Sequence, residues 1–143
     1  MQNPNIDALN DVIKTLIDSQ QGYQKVCEMS DDSYALRSKF QSLANERTAL
    51  INDFQTQVRA YGGEPQTSGG VAGSMHRAWA DFTSMFRDDE KAALEAVDTG
   101  EEHLAKEIDD KLENTELDAQ ARELLRRAKS SACYGENFAD QLS

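Results

Sequence analysis

Proline occurs only twice in this chain, at Pro4 and Pro65, and that scarcity limits the possible folds more than any other feature. Proline removes a backbone donor and clashes with the preceding helical turn, so long proline-free spans can run as unbroken helix. Within those spans apolar residues recur three and four apart, the period of a helix with one buried face. The spacing predicts four long helices, one shorter helix and no strand.

The first helix is expected from about Pro4 to Met29, with Asn3 as N-cap and Pro4 in the first turn. Its stripe is Ile6, Leu9, Ile13, Leu16, Tyr23 and Cys27. A short turn at Ser30–Ser33 makes the next helix an antiparallel neighbour. That second helix runs from about Ser33 to Tyr61 on Leu36, Phe40, Leu43, Leu50, Phe54 and Tyr61, widened by Ile51 and Val58. Gly62 and Gly63 end it, because glycine takes up the left-handed C′ conformation without penalty. Residues 62–88 form a long connection. It holds a short amphipathic helix over Val71–Phe86 with Val71, Met75, Ala78, Phe82 and Met85 on one face, flanked by Trp79 and Phe86.

The third long helix is expected from about Asp89 to Glu113, capped by Asp88, on Ala93, Val97, Leu104, Ile108 and Leu112. Glu102→Lys106 and Glu107→Lys111 are i,i+4 pairs for its wet side. Thr115 to Asp118 reads as a capping box for the fourth helix, Asp118 to about Leu142. Leu117, Ala121, Leu124, Ala128, Phe138 and Leu142 keep its spacing. Each long helix of roughly 25 residues spans about 38 Å. Two short turns and one long crossover describe an all-α, one-crossover four-helix bundle. A length of 143 residues fits one such domain over 1–143.

The stripes are interrupted at one height. Gln20, with Gln21 beside it, stands between Leu16 and Tyr23; Arg47 stands between Leu43 and Leu50, flanked by Asn45 and Glu46; Glu101 stands between Val97 and Leu104; Ser131 follows Ala128, with Glu136 further along. A polar layer at mid-height is where ferritin-type bundles hold their metals, on two Glu and two Glu-x-x-His pairs. No Glu-x-x-His exists here, and the two histidines are His76 in the crossover and His103 on the third long helix. One reading is a hydrogen-bonded core layer of Gln20, Gln21, Asn45, Arg47 and Glu101, with Arg47 paired to Glu101, since a buried charge needs a partner. The other is a carboxylate-only site for iron or manganese on Glu46, Glu101 and Glu136. A cation at position 47 opposes a second cation in the same seam, which favours the first reading, with no cofactor and no catalytic residue.

Composition narrows the function further. The formal net charge of −11 argues against nucleic-acid binding, which needs clustered Lys and Arg. No run of 18 apolar residues exists to insert into a membrane, and no basic stretch followed by an apolar one marks a signal peptide. Cys27 and Cys133 are expected as free thiols in a reducing, cytoplasmic setting. The short helix with Trp79, Phe82 and Phe86 must cover the bundle or meet a partner.

Several segments carry a resemblance. They are Leu9-Asn10, Asp18 with Gly22-Tyr23, Arg59-Ala60-Tyr61-Gly62-Gly63-Glu64-Pro65, Gly73-Ser74-Met75-His76-Arg77-Ala78-Trp79 and Gly100-Glu101-Glu102. Through them the chain resembles, over nearly its whole length, a bacterial family of ferritin-like four-helix-bundle proteins known as a domain of unknown function. The resemblance implies a ferritin-like fold and no assigned activity. It also implies lost acids: relatives carry Glu where this chain has Gln21 and Asn45, and His-Asp where it has Glu136-Asn137, while Glu101 is retained. The expectation is therefore a protein with a degenerate metal site, acting by self-association or through a protein partner in a stress-type role. Its rival is an iron- or manganese-binding protein.

Overall fold

The computed structural model describes residues 3–29, 34–70, 74–86 and 88–142. Among these the chain is all-helical, with five helices and no strand: α1 (Pro4–Met29), α2 (Tyr34–Ala60), α3 (Ser74–Met85), α4 (Glu90–Leu112) and α5 (Ala119–Leu142). The expected turn at Ser30–Ser33, Val71 of the short helix and the side chains of Met75 and His76 lie outside the described residues.

Cross-helix pairs fix the directions of the long helices. Against α1, Asp11 meets Lys111, Thr15 meets Glu107 and Tyr23 meets Glu101, so α4 runs antiparallel to α1. Against α2, Lys39 meets Tyr134, Arg47 meets Ser131 and Asp53 meets Arg127, so α5 runs antiparallel to α2. Packing closes a ring α1–α2–α5–α4, and α3 lies on the α1–α4 side. Since α2 and α4 point the same way, the chain must return along the ring between them.

That return is held along α1. The α2 C-terminus closes as a Schellman turn: Gly62 has φ 86°, its N–H donates to the Arg59 carbonyl, and the Gly63 N–H donates to that of Val58, both at 2.9 Å. The strand-like segment then climbs α1. Asn10 donates to the Glu64 carbonyl at 3.0 Å and accepts from the Gln66 N–H at 2.9 Å, and Asp18 accepts from the Gly70 N–H at 3.2 Å.

Several local expectations are corrected. The α4 N-cap is Asp89, not Asp88; its side chain accepts from the Ala92 N–H. Asp118 itself caps α5, accepting from the Ala121 N–H at 3.0 Å, so Thr115 caps nothing and stays exposed in the turn. Glu107 and Lys111 attract each other as expected, but they are half-buried rather than on the wet side and also reach across to Thr15 and Asp11 on α1. Met85 and Leu142, placed on buried faces by their spacing, are 39% and 45% exposed, whereas Trp79 and Phe86 sit inside rather than on the flanks. Leu142 lies in the last turn of α5, beyond the packed zone, and Trp79 is drawn inside by the space that Gly22 and Gly100 leave for its ring.

The core falls into two halves of different chemistry. One is mainly aliphatic: Leu9, Val12, Ile13, Leu16, Leu104, Ile108, Leu125 and their neighbours around Phe54. The other is aromatic, where Tyr23, Phe40, Trp79, Phe82 and Phe86 meet ring to ring at centroid distances of 5.1–6.2 Å, a spacing that favours edge-to-face contact.

Candidate functional site: a buried ion pair between the two cores

The boundary between the halves is polar. Ser19 on α1, Arg47 on α2, Glu101 on α4 and Ser131 on α5 are all buried, Arg47 and Glu101 completely. Each long helix thus presents one polar residue at one height, because each interrupts its own apolar stripe there.

Arg47 extends across the ring from α2 to Glu101 on α4, two helices whose backbones stand diagonally apart. Its planar fork has five N–H donors, and each finds an acceptor. Nε donates to Ser131 Oγ at 2.9 Å. Nη1 donates to Glu101 Oε1 at 2.8 Å and to Ser19 Oγ at 2.9 Å. Nη2 donates to Glu101 Oε2 and to the Ser131 carbonyl, the latter at 3.1 Å. One guanidinium therefore ties together all four long helices. The Ser19 hydroxyl is aimed by its own donation to the Leu16 carbonyl at 2.7 Å, which leaves its lone pairs for Arg47.

Glu101 accepts a further bond from the Tyr23 hydroxyl at 3.0 Å, and the guanidinium carbon lies 5.6 Å from the Tyr23 ring centre. Burial pushes the Tyr23 phenol well above its ordinary value, and the Glu101 charge adds to this, so the hydroxyl stays protonated as the donor. Burial also pushes the Glu101 carboxyl up, against the pull of Arg47 and of the Arg47 and Tyr23 hydrogen bonds. For Arg47 burial is the largest single effect and works the other way, but the charge and hydrogen bond of Glu101, with Tyr23 and Glu46 adding, together outweigh it and hold the proton more tightly. A bidentate, fully satisfied pair is the geometry that best offsets the cost of burying two charges.

Glycine makes the room. At Gly135 a Cβ would run into the Glu101 carboxylate and come within 2.9 Å of the Tyr23 hydroxyl. Gly22 and Gly100 form a slot for Trp79: a Cβ at Gly22 would lie 3.1 Å from Trp79 Cε3, and one at Gly100 would lie 2.8 Å from Cε2.

Arg47 and Glu101 therefore meet in the seam together with Ser131. Three expected members of the layer do not. Gln20 is only half-buried, Gln21 is exposed beside the α1–α3 groove, and Asn45 is exposed, accepting from Gln41 at 2.9 Å in the groove over Cys27. Ser19 takes the place assigned to Gln20. Both satisfy the three-and-four spacing from Leu16 to Tyr23, but a short hydroxyl fits beside a guanidinium where a long amide would overfill the layer. Ser19 and Gly135 are the members that stripe-reading passes over, and Tyr23, which the stripe places in the apolar core, joins the layer through its hydroxyl.

The carboxylates proposed for metal do not converge. Glu46 is exposed, and Glu101 is engaged by Arg47 and Tyr23. Glu136 instead meets Asp98 and Asp140, the single group of three potential ligands among the described residues. Asp98 is pushed up to about 6 by burial, by a hydrogen bond with Asp140, and by the charges of Asp140, Glu136 and Glu102. The ferritin-type donor set does not fit the polar layer: a guanidinium sits at its centre, its one carboxylate already accepts three bonds, and no imidazole reaches it among the described side chains. His103 is half-buried in the α3–α4 groove with Arg77 and Asp81.

Both cysteines are free thiols, Cys27 buried and Cys133 partly exposed. No helix among the described residues is long and apolar enough to cross a membrane.

A family model with the description "Domain of unknown function (DUF2383)" matches residues 5–114. The match takes in α1 through α4 and so includes Arg47 and Glu101, while Ser131 and Gly135 on α5 lie beyond it. No curated protein and no solved structure matches the chain.

Proposed function

The chain belongs to that family, and from the polar layer we propose a role without catalysis: a ferritin-like four-helix bundle in which a buried ion pair stands where ferritin-type bundles hold a metal. The protein then works through its outer surface, by self-association or by binding a protein partner in the cytoplasm. The single observation that carries this reading is the saturation of Arg47. All five donors of a completely buried guanidinium are used within the protein, which fixes a cation at the centre of the layer and engages its one carboxylate, so a second cation there would be repelled. The α1–α2–α5–α4 ring, with α2 and α4 pointing alike and a return along α1, supports the one-crossover bundle. The strongly acidic composition supports a partner other than nucleic acid.

The rival, a carboxylate site for iron or manganese, draws its support from Asp98, Glu136 and Asp140 rather than from Glu46 and Glu101. Elemental analysis after incubation with each metal, followed by desalting, separates the two. The proposal expects sub-stoichiometric metal. Stoichiometric metal that is lost on Glu101→Ala would overturn it at the polar layer, and metal lost on Asp98→Asn would establish the rival. Light scattering on the same sample reports self-association.

A further inference from the structure

On the reading above that the protein acts by self-association, we propose that two copies meet across the outer face of the α2–α5 seam, about a two-fold axis running along it.

That seam is stitched on its outside by three pairs at three heights. Lys39 Nζ donates to the Tyr134 hydroxyl at 3.5 Å, Arg127 Nη2 donates to Asp53 Oδ2 at 2.8 Å, and Gln57 Nε2 donates to Gln120 Oε1 at 3.1 Å. These groups keep surface for a second partner. The Arg127 and Asp53 side chains are 47% and 49% exposed, and Tyr134, at 48%, is the most exposed large apolar residue among the described ones. Between the pairs the face is low, because Ser42 and Ala49 on α2 and Ser130 on α5 are exposed and small.

Symmetry converts these pairs within the chain into pairs between copies. A two-fold along the seam leaves every residue at its own height. Since α2 and α5 run antiparallel, it lays α2 of one copy against α5 of the other, again antiparallel. Lys39 then faces the partner's Tyr134, Asp53 faces the partner's Arg127, and Gln57 faces the partner's Gln120, the combinations that already match within one chain. The two Asp53–Arg127 pairs close into a ring of four alternating charges. Net charge agrees: Glu46 and Asp53 outweigh Lys39 on the exposed side of α2, whereas Arg126 and Arg127 outweigh Glu123 on that of α5. Glu46 lies seven residues from both Lys39 and Asp53 and so on the same side of α2. A two-fold across the seam at the height of the layer would set it against the partner's Glu46, and like charges in apposition disfavour a complex, so complementarity selects the axis along the seam. Two helices about 36–40 Å long, about 10 Å apart, present a strip of roughly 700 Å², close to the ~800 Å² that each partner contributes to a standard interface.

Sedimentation velocity of the full chain over a wide concentration series reads the monomer–dimer equilibrium, with far-UV circular dichroism confirming that each variant is folded. We expect a dimer that weakens with added salt, because the ring of charges is edged by solvent. Each substitution counts twice in a symmetric pair. Arg127→Glu and Asp53→Arg should therefore each weaken the dimer roughly tenfold or more, and the two together, which rebuild the alternating ring, should recover it. Tyr134→Ala should weaken it as well. Lys111→Glu, on the α1–α4 side of the bundle, should leave it unchanged. A dimer of unaltered affinity in the seam variants would overturn this surface and leave self-association standing. So would a loss that the double change does not recover. A chain that stays monomeric at every concentration would overturn the surface and self-association together.

Discussion

Replacing Arg47 with alanine is the most direct test of the buried layer. The guanidinium is completely buried, and its removal strips Glu101 of two of its three hydrogen bonds, leaving the bond from Tyr23. It also takes the donor from Ser19 and the donors from both oxygens of Ser131. Breaking a buried pair from one side costs about 3–5 kcal/mol, a large share of the roughly 5–15 kcal/mol that holds a domain together. The cost has a pH signature that separates charge from cavity. Burial already pushes the Glu101 carboxyl up while Arg47 opposes it, so the variant raises its folded-state pKa further. A carboxyl raised on folding contributes stability that is present below its unfolded value and is lost as pH rises through its folded value. The deficit should therefore be largest near pH 7 and shrink as pH falls through the raised folded-state value of Glu101 toward the ordinary glutamate value of about 4.3. Equilibrium urea unfolding of wild type and variant across that range, followed by circular dichroism, measures it. Adding Glu101→Ala to Arg47→Ala should cost less than the sum of the single changes, with a coupling of about 1–3 kcal/mol. A destabilisation below about 1 kcal/mol at pH 7, or one independent of pH, would refute the claim that an uncompensated charge is what the pair prevents.

Three further outcomes follow from other parts of the molecule. Gly62→Ala should cost about 1–2 kcal/mol by urea unfolding, because Gly62 sits at φ 86° with open space where a Cβ would go and only the left-handed backbone resists the change. Asp98, pushed up to about 6 by burial and its acidic neighbours, is an acid raised on folding; its stabilising contribution is present below about pH 4 and lost as pH rises through 6. Asp98→Asn should therefore raise the urea midpoint at pH 7 and leave it nearly unchanged at pH 4. Native-state thiol labelling, read by mass spectrometry, should modify the partly exposed Cys133 well before the buried Cys27.

The helices were legible because their signals are local. Proline scarcity, the 3–4 spacing and the Gly62-Gly63 stop each act within one or two turns, and α1 and α2 begin and end within about a residue of where those signals place them. Arg47 and Glu101 were legible for a related reason: a charged residue inside an apolar stripe must be answered by another charge. What fills the rest of the layer was not, because that depends on volume at the centre of four helices. Ser19 and Gln20 are one residue and about 100° apart on the helix, and only the space left by a guanidinium decides between them. The stripe of α3 places Trp79 on a flank, whereas its position is set by Gly22 and Gly100, on two other helices.

Those glycines nevertheless carry a signal that a stripe-based reading underuses. Glycine inside an exposed helix costs about 1 kcal/mol relative to alanine, so Gly22, Gly100 and Gly135, each well inside a long helix, need a local return for that cost. In each case the return is a close approach: Trp79 against Gly22 and Gly100, and the Glu101 carboxylate against Gly135. Two of the three notches admit the Trp79 ring of α3 and the third admits the acid that pairs with Arg47. The same polar layer also divides the aliphatic core from the aromatic one. A slip of α1, α4 or α5 by a turn, about 5.4 Å, would withdraw its acceptor from the guanidinium, and a slip of α2 would withdraw the guanidinium from all three. That penalty falls on every misregistered packing, whereas an apolar layer would tolerate many of them. The pair's main contribution is thus to make one register win, a use of buried charge that does not require it to add net stability.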